Sequence, residues 1–379
     1  MAKAKQTHRS KATIRRDIRD IDKEIIAAVC RRIELAKELQ ADGEAKENAL
    51  DWIPKVVGSS NGLEKEDGAR LLLEIQSLCQ KQLPTKKISY LGPKFSYSYL
   101  AATSEFGSFK TLEPLRSITA VFESVMSGQS TCGVVPLENS TDGRIADTLT
   151  MFSTNAVRIV QEIHLPVGHC LVGLGKLSEI REIRSKAQAI SQCRGWLAEN
   201  LSSDVVTVAV NSSAEAAADA KKRGASVAAI ASQEAAVGYG LRVIRQGIED
   251  QSGNLTRFAV IADPAKDFIK VPKKTSCDKT SIMFEVPHQA GALADVMNVF
   301  KRAKLNLTWI ESFPKPEVFS EYTFFAEFQG HRDEVRVRNA LRMLERKTEQ
   351  LTFLGSYPAV GKLNDSRSGT SGSSSKQDT

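Results

Sequence analysis

Three polar runs in this chain carry the residue types needed to handle a small organic anion. Asn254-Leu255-Thr256-Arg257-Phe258 offers an amide, a hydroxyl and a guanidinium close together. Glu138-Asn139-Ser140 follows the apolar run Gly133-Val134-Val135-Pro136-Leu137 and precedes Thr141-Asp142-Gly143. Ser96-Tyr97-Ser98 follows Ile88-Ser89-Tyr90-Leu91 and Gly92-Pro93-Lys94-Phe95. The last two runs lie between a strand pattern and a helix pattern. A helix start leaves backbone N–H groups free, so with hydroxyls beside it the end favours an anion. Thr256-Arg257 adds a hydroxyl and a guanidinium ahead of a further strand. Read singly, each run has a plainer account. Ser96 and Ser140 are ordinary N-cap residues, and Arg257 suits a surface ion pair. Read together, three polar loops at strand ends describe a small-anion site.

The elements that must hold these runs can be laid out along the chain. Strand signals fall at 88–91, 132–137, 157–162, 170–173, 205–210, 227–230 and 258–261, with helices over 117–128, 144–151, 213–223 and 232–238. Strands alternating with helices imply an α/β domain with a mostly parallel sheet, long enough for two lobes and a cleft. Ahead of it, Ile14, Ile18, Ile21, Ile25, Val29, Ile33, Ala36 and Leu39 form one stripe of a long amphipathic helix. A shorter helical stretch over 45–57 and a third helix over 64–82 follow. One long helix with short partners needs a second copy to bury its stripe. After a lysine-rich linker, strands and helices over 280–356 read βαββαβ, the ferredoxin-like order. The expected boundaries are a basic arm at 1–13, helices at 14–83, the α/β domain at 87–263, a small α/β domain at 279–358 and a serine-rich disordered tail at 364–379.

Composition bounds the function. With 41% hydrophobic and 26% charged residues, the chain reads as ordinary globular protein. No apolar run is long enough to span a membrane. The net charge of +7 rests almost wholly on the six lysines and arginines between Lys3 and Arg16. Such a block reads as a solvated tail, ahead of nucleic-acid binding or targeting. The six cysteines form no CxxC pair and suggest free thiols in a reducing cytoplasm. The histidines lack metal-ligand spacing, so no metal is expected. His164 and His169 read as satisfied residues at a strand end.

In their order and separation, the three runs, followed by Gly291-Ala292-Leu293 and Trp309-Ile310-Glu311-Ser312-Phe313-Pro314, resemble prephenate dehydratase joined to an ACT domain. The helices in front resemble the helical class of chorismate mutase more loosely. The resemblance implies all-α mutase-like helices, a two-lobed α/β dehydratase domain like a periplasmic binding protein, and a ferredoxin-like ACT domain. It implies a cytoplasmic enzyme of phenylalanine biosynthesis that converts prephenate to phenylpyruvate, CO2 and water, with aromatisation driving the step and no organic cofactor required. Catalysis would fall to Thr256, Arg257, Asn139 and Ser140, with Thr256 donating to the departing hydroxyl. Ser96, Ser98, Glu138, Gln188, Ser212, Ser213 and Phe258 would line the substrate site. Chorismate would meet Arg15, Arg32, Lys46 and Glu47. Phenylalanine, as effector, would meet Gly291, Ala292, Leu293, Asn306, Glu311 and Ser312. A homodimer or homotetramer is expected, with no nucleic-acid or membrane partner.

The chain departs from the family pattern in places. Phe95, Ser96 and Tyr97 stand where glycine, threonine and phenylalanine are usual, so the backbone at Phe95 is expected to avoid positive φ. Phe313 replaces an arginine and Ala290 a proline. Gly43 falls where the mutase pattern has a lysine, and Leu83, beside Gln82, falls where it has a glutamine. Two other readings stay open: an arogenate dehydratase, which differs only in the substrate's side chain, and a non-catalytic amino-acid sensor. Thr256 with Asn139 and Ser140 weighs against the sensor, which needs no such hydroxyl. A mutase-like segment that serves only dimerisation also fits.

Overall fold

The computed structural model describes residues 10–41, 64–81, 87–107, 111–141, 143–265, 274–275, 277–314 and 322–360. Lys46, Glu47, the helix expected over 45–57 and the tail lie outside them, as does most of the basic arm. The chain divides into two compact units: residues 1–135 with 167–254, and residues 136–166 with 255–379. The linear domain boundaries of the sequence reading cross this division.

In the first unit, α1 (Lys11–Ala41) and α2 (Lys65–Lys81) form the helical part. Arg32 Nη1 donates to Cys79 Sγ at 2.8 Å between them. β1 (Ile88–Leu91) pairs in parallel with β2 (Leu112–Leu115) and with the first residues of β3 (Cys132–Asn139). α3 (Tyr97–Phe106) and α4 (Ile118–Met126) connect these strands, each capped by a serine, Ser96 and Ser117. A second, five-stranded sheet runs in the order β10 (Arg242–Gln246), β6 (Cys170–Gly173), β9 (Val227–Ala231), β7 (Glu182–Ser185), β8 (Val206–Ala209). On one face Ala216, Ala217 and Ala220 of α8 (Ser213–Arg223) pack on Val172 and Ala229. Small side chains there let the helix lie close to the sheet. Lys221, Lys222 and Arg223 in its last turn oppose the dipole's negative end. Two short helices, α6 (Ala187–Gln192) and α7 (Arg194–Asn200), and one later helix, α9 (Gln233–Tyr239), complete this unit.

In the second unit, the end of β3 is followed by β4 (Gly143–Arg144), α5 (Ala146–Thr154), β5 (Arg158–Pro166) and β11 (Leu255–Ala262). β11 pairs antiparallel with β5, with Thr256 opposite Leu165 and Ala259 opposite Glu162. The C-terminal part reads β12 (Asp278–Glu285), α10 (Ala292–Ala303), β13 (Leu307–Pro314), β14 (Tyr322–Gln329), α11 (Val335–Glu345), β15 (Gln350–Pro358). Its antiparallel sheet has the order β13-β14-β12-β15, so the expected βαββαβ order is present. Strand periodicity gives this sheet two characters. Ile282, Phe284, Ala326 and Phe328 face Val296, Phe300, Val337 and Leu344 of the two helices. The alternate residues Lys279, Ser281 and Glu327 face β5 and β11. β15 approaches β5 so closely that a Cβ on Gly355 would stand 2.1 Å from the carbonyl oxygen of Ile159. Only glycine fits there.

Three details correct the sequence reading. Thr256-Arg257 lies inside β11, not in a loop before it. α5 begins at Ala146, not at Arg144. Phe95 adopts φ +66, contrary to expectation. That backbone costs about 1–3 kcal/mol in a non-glycine residue. The Phe95 ring meets Tyr99 and Tyr239 edge-on at 5.4 and 5.2 Å. Two such contacts, at about 0.5–1.5 kcal/mol each, offset the strain.

Candidate active site

The fold brings Thr256, Asn139 and Ser140 together. Ser140 N–H donates to the Leu255 carbonyl at 2.8 Å, and Leu255 N–H donates back to Ser140 Oγ at 2.9 Å. This reciprocal pair fixes the end of β3 against the start of β11. One residue on, Asn139 Nδ2 donates to Thr256 Oγ1 at 2.8 Å. The amide's orientation is set independently, because its Oδ1 accepts from Thr141 N–H at 3.0 Å. Thr256 therefore accepts from Asn139, and its own O–H proton can be given elsewhere. The threonine is 8% exposed, so a hydrogen bond it makes to a substrate meets little competition from water.

Strand alternation sends Arg257 to the opposite face of β11 from Thr256. Its Nε donates to Glu162, Nη1 to Glu138 and Nη2 to Glu327, each at 2.7 Å. Its guanidinium also lies over the Trp309 ring, 5.1 Å from the centroid. Lys279 contacts Glu162 and lies 3.3 Å from Glu327. His164 contacts the same Glu162. Tyr357 O–H and Ser281 O–H donate to the other Glu327 oxygen at 3.0 and 3.2 Å. Burial pushes the Glu162 carboxyl up, but His164, Lys279 and Arg257 outweigh it and hold the pKa at about 2. Burial lowers the Arg257 pKa, and Glu327 and Glu162 outweigh that and raise it. Arg257 and Glu138, expected at the substrate, are thus occupied with each other and with the C-terminal sheet. Phe258 is 1% exposed and belongs to the core rather than to a ligand surface.

In the first unit, Ser96 caps α3 by accepting from Tyr99 N–H and donates to the Leu91 carbonyl. Its plainer reading is the one observed. Ser212 likewise caps α8 through Glu215 N–H. Ser213 Oγ lies 3.2 Å from Ser185 Oγ, Ser98 is buried, and Gln188 is half-buried in α6. A network that the sequence did not disclose links Tyr97, His169, Gln192 and Asn254. His169 Nε2 pairs with Gln192 Oε1 at 2.8 Å, which also accepts from Asn254 Nδ2 at 3.4 Å. Tyr97 O–H donates to the Gly168 carbonyl at 2.7 Å. His169 is a satisfied buried residue, as expected. The apolar spacing around Tyr97 and Gln192 carries no signal for these long-range pairs.

Arg15 is exposed on α1, while Arg32 turns to Cys79 as described. In the C-terminal domain, a cavity of about 460 Å³ is lined by residues 286–294 with Tyr322 and Phe324. Gly291, Ala292 and Leu293 line it. Gly291, at φ +87, caps α10 with no side-chain acceptor, leaving the first N–H groups of that helix without a side-chain cap. Asn306, Glu311 and Ser312 lie outside this lining. Arg144 Nη1 holds both the Glu311 carboxylate, at 2.8 Å, and the Ser312 carbonyl, at 2.7 Å. Phe313, the replacement for an arginine, is buried.

Among the described residues no group of side chains could hold a metal ion, and no helix is long and apolar enough to cross a membrane. Cys79, Cys132, Cys170 and Cys193 are buried thiols outside any disulfide, while Cys30 and Cys277 are exposed.

A family profile described as prephenate dehydratase matches residues 88–266. The bifunctional chorismate mutase/prephenate dehydratase of Aquifex aeolicus (strain VF5) is 35% identical over 363 residues, covering 91% of this chain and 97% of that protein. A prephenate dehydratase from Arthrobacter aurescens, solved in complex with L-Phe, matches with a TM-score of 0.66 at 31% identity, over 72% of this chain and 92% of that one. GqqA, described as a novel type of quorum quenching acylases, matches with a TM-score of 0.65 at 29% identity, over 73% of this chain and 98% of that one. Fold likeness alone therefore spans more than one named activity, and the site must carry the functional conclusion.

Proposed function

The chain belongs to the bifunctional chorismate mutase/prephenate dehydratase family, and from that premise we propose how its residues divide the work. It is a prephenate dehydratase, converting prephenate to phenylpyruvate, CO2 and water. The carrying observation is the shielded Thr256 hydroxyl, held by Asn139 Nδ2 at 2.8 Å with its proton free to donate. Thr256 donates to the ring hydroxyl oxygen as its C–O bond breaks. The ring carboxylate leaves as CO2, its bonding pair enters the ring, and the departing hydroxide takes up one proton from solvent to leave as water. Aromatisation drives the step, so placement and one aimed donor suffice. Asn139 and Ser140 hold Thr256 where that oxygen departs.

The second activity, chorismate to prephenate, falls to α1 and α2, with Arg15 and Arg32 gripping the carboxylates. Claisen rearrangement needs a positive charge or donor at the breaking C–O bond; Lys46 is the residue proposed to supply part of that charge, with Glu47 beside it as a further chorismate contact. The exposed stripe of α1, with Ile14, Ile18, Ile21 and Ile25 each 44–55% exposed, supports assembly as a homodimer or homotetramer. Phenylalanine is the proposed effector, with its carboxylate at the start of α10 and its ring beside Tyr322 and Phe324. Buried thiols outside any disulfide suit a cytoplasmic enzyme. Separate assays of the purified full chain with chorismate, prephenate and arogenate test this division. Turnover of prephenate and chorismate is expected; conversion of arogenate alone would replace the substrate assignment.

A further inference from the structure

The buried ion cluster behind Thr256 lies outside the chemistry just described, yet it is built around the motif's own arginine. Two adjacent residues of β3, Glu138 and Asn139, meet two adjacent residues of β11, Arg257 and Thr256. Asn139 holds Thr256 on one face, and Glu138 holds Arg257 on the other. The strand pair is therefore pinned from both sides at the reacting residue. The third nitrogen of Arg257 reaches β14, where Glu327 receives it. Glu327 is 1% exposed and fixed in turn by Ser281, Tyr357 and Lys279. A second tie runs in parallel, because Arg144, opposite Glu138 in the β3–β4 pairing, holds Glu311 and Ser312 of β13. A simple staple between domains could sit anywhere on β5 or β11. This one is attached to the residue next to Thr256.

We propose that Glu327, on the C-terminal sheet, is a positioning residue for the dehydratase reaction, acting through Arg257 to set the place of Thr256. The proposal rests on Thr256 as the donor to prephenate. Glu327 touches no substrate. It holds Arg257 in the one arrangement in which the backbone of β11 presents the threonine to Asn139. Displacement of a reacting group by an ångström lowers turnover steeply while leaving affinity for the rest of the substrate.

The test uses the full-length protein and prephenate. Glu327→Gln keeps the side-chain volume and its bonds to Tyr357 and Ser281 but removes the charge that holds Arg257. Val337→Ala, on the helix-covered side of the same sheet, loosens that sheet without touching the cluster. Glu327→Gln should lower kcat about tenfold or more with KM within about twofold of wild type. Val337→Ala should keep kcat within about twofold even at an equal or larger loss in thermal midpoint. Wild-type kcat in Glu327→Gln overturns the proposal, and so does an equal kcat loss in Val337→Ala at matched stability. Should Glu327→Gln fail to fold, Ser281→Ala/Tyr357→Phe strips both donors from one Glu327 oxygen and leaves the charge. It should lower kcat in the same direction by a smaller factor, and an unchanged kcat there also overturns the proposal. A wild type that does not turn over prephenate refutes the proposed function itself, before any variant is compared.

Discussion

At the residue scale, the account turns on which way each side chain of a five-residue run points. Asn139→Ala should leave the Thr256 hydroxyl chemically intact but unheld. A fall in kcat on the order of a hundredfold is expected, with little change in KM, as for a group misplaced rather than removed. Steady-state kinetics on prephenate measure this, and an unchanged kcat would show that Thr256 needs no such partner. The sequence disclosed Thr256, Asn139 and Ser140 as a set because their residue types suit one task. It misplaced Arg257 for a definable reason. Reading Thr256-Arg257 as a loop removed the alternation that, inside β11, sends neighbours to opposite faces. Glu138 was misread with it, since its partner lies far away in sequence. Phe95 shows a different failure: its positive φ depends on Tyr99 and Tyr239, and no local rule reports a compensating contact.

At the element scale, β5 and β11 matter as much for what they pack against as for what they carry. Glu162 on β5 titrates at about 2 in the fold, against an ordinary 4.5. A depressed carboxyl contributes stability that is fully present above 4.5 and is lost as pH falls toward 2. The difference corresponds to something on the order of 3 kcal/mol. Glu162→Gln should therefore be less stable near neutrality and show a shallower loss of stability between pH 4.5 and 2 than wild type. Denaturant titrations across that range decide it; parallel profiles would mean that Glu162 is not held low. Most long elements were legible in the sequence, including α1, α8 and the βαββαβ order, because their apolar periods are regular. The missed strands, β2, β4, β7 and β10, are all short, and interior β7 carries Glu182 and Arg184. β2 is an edge strand containing Pro114, and β10 is an edge strand with Arg242 and Arg245, where proline and charge are tolerated because one side is unpaired.

At the scale of the whole molecule, catalysis and regulation are assigned to different parts of one chain. Calorimetry with phenylalanine on the intact protein should give binding heat, and the same ligand should change prephenate turnover, since an effector acts only by preferring one state. No heat and no change in turnover would leave the cavity at Gly291 without its proposed ligand. Phe313 and Ala290 would then be the first substitutions to revert. The sequence reading divided the chain by composition and motifs. It could not announce that β5 and β11 join the C-terminal sheet in one compact unit, because that join depends on Glu162, Arg257, Lys279 and Glu327 meeting across long separations. The central claim is narrower than any of this: a hydroxyl at position 256 assists the departure of the ring hydroxyl of prephenate. The most direct measurement is single-substrate turnover of prephenate by wild type, Thr256→Ser and Thr256→Ala, with folding checked by circular dichroism. The account predicts that Thr256→Ala raises the barrier by about 2.7–4 kcal/mol, the loss of one preorganised donor, while Thr256→Ser retains most turnover. Near-normal turnover in a correctly folded Thr256→Ala would contradict it.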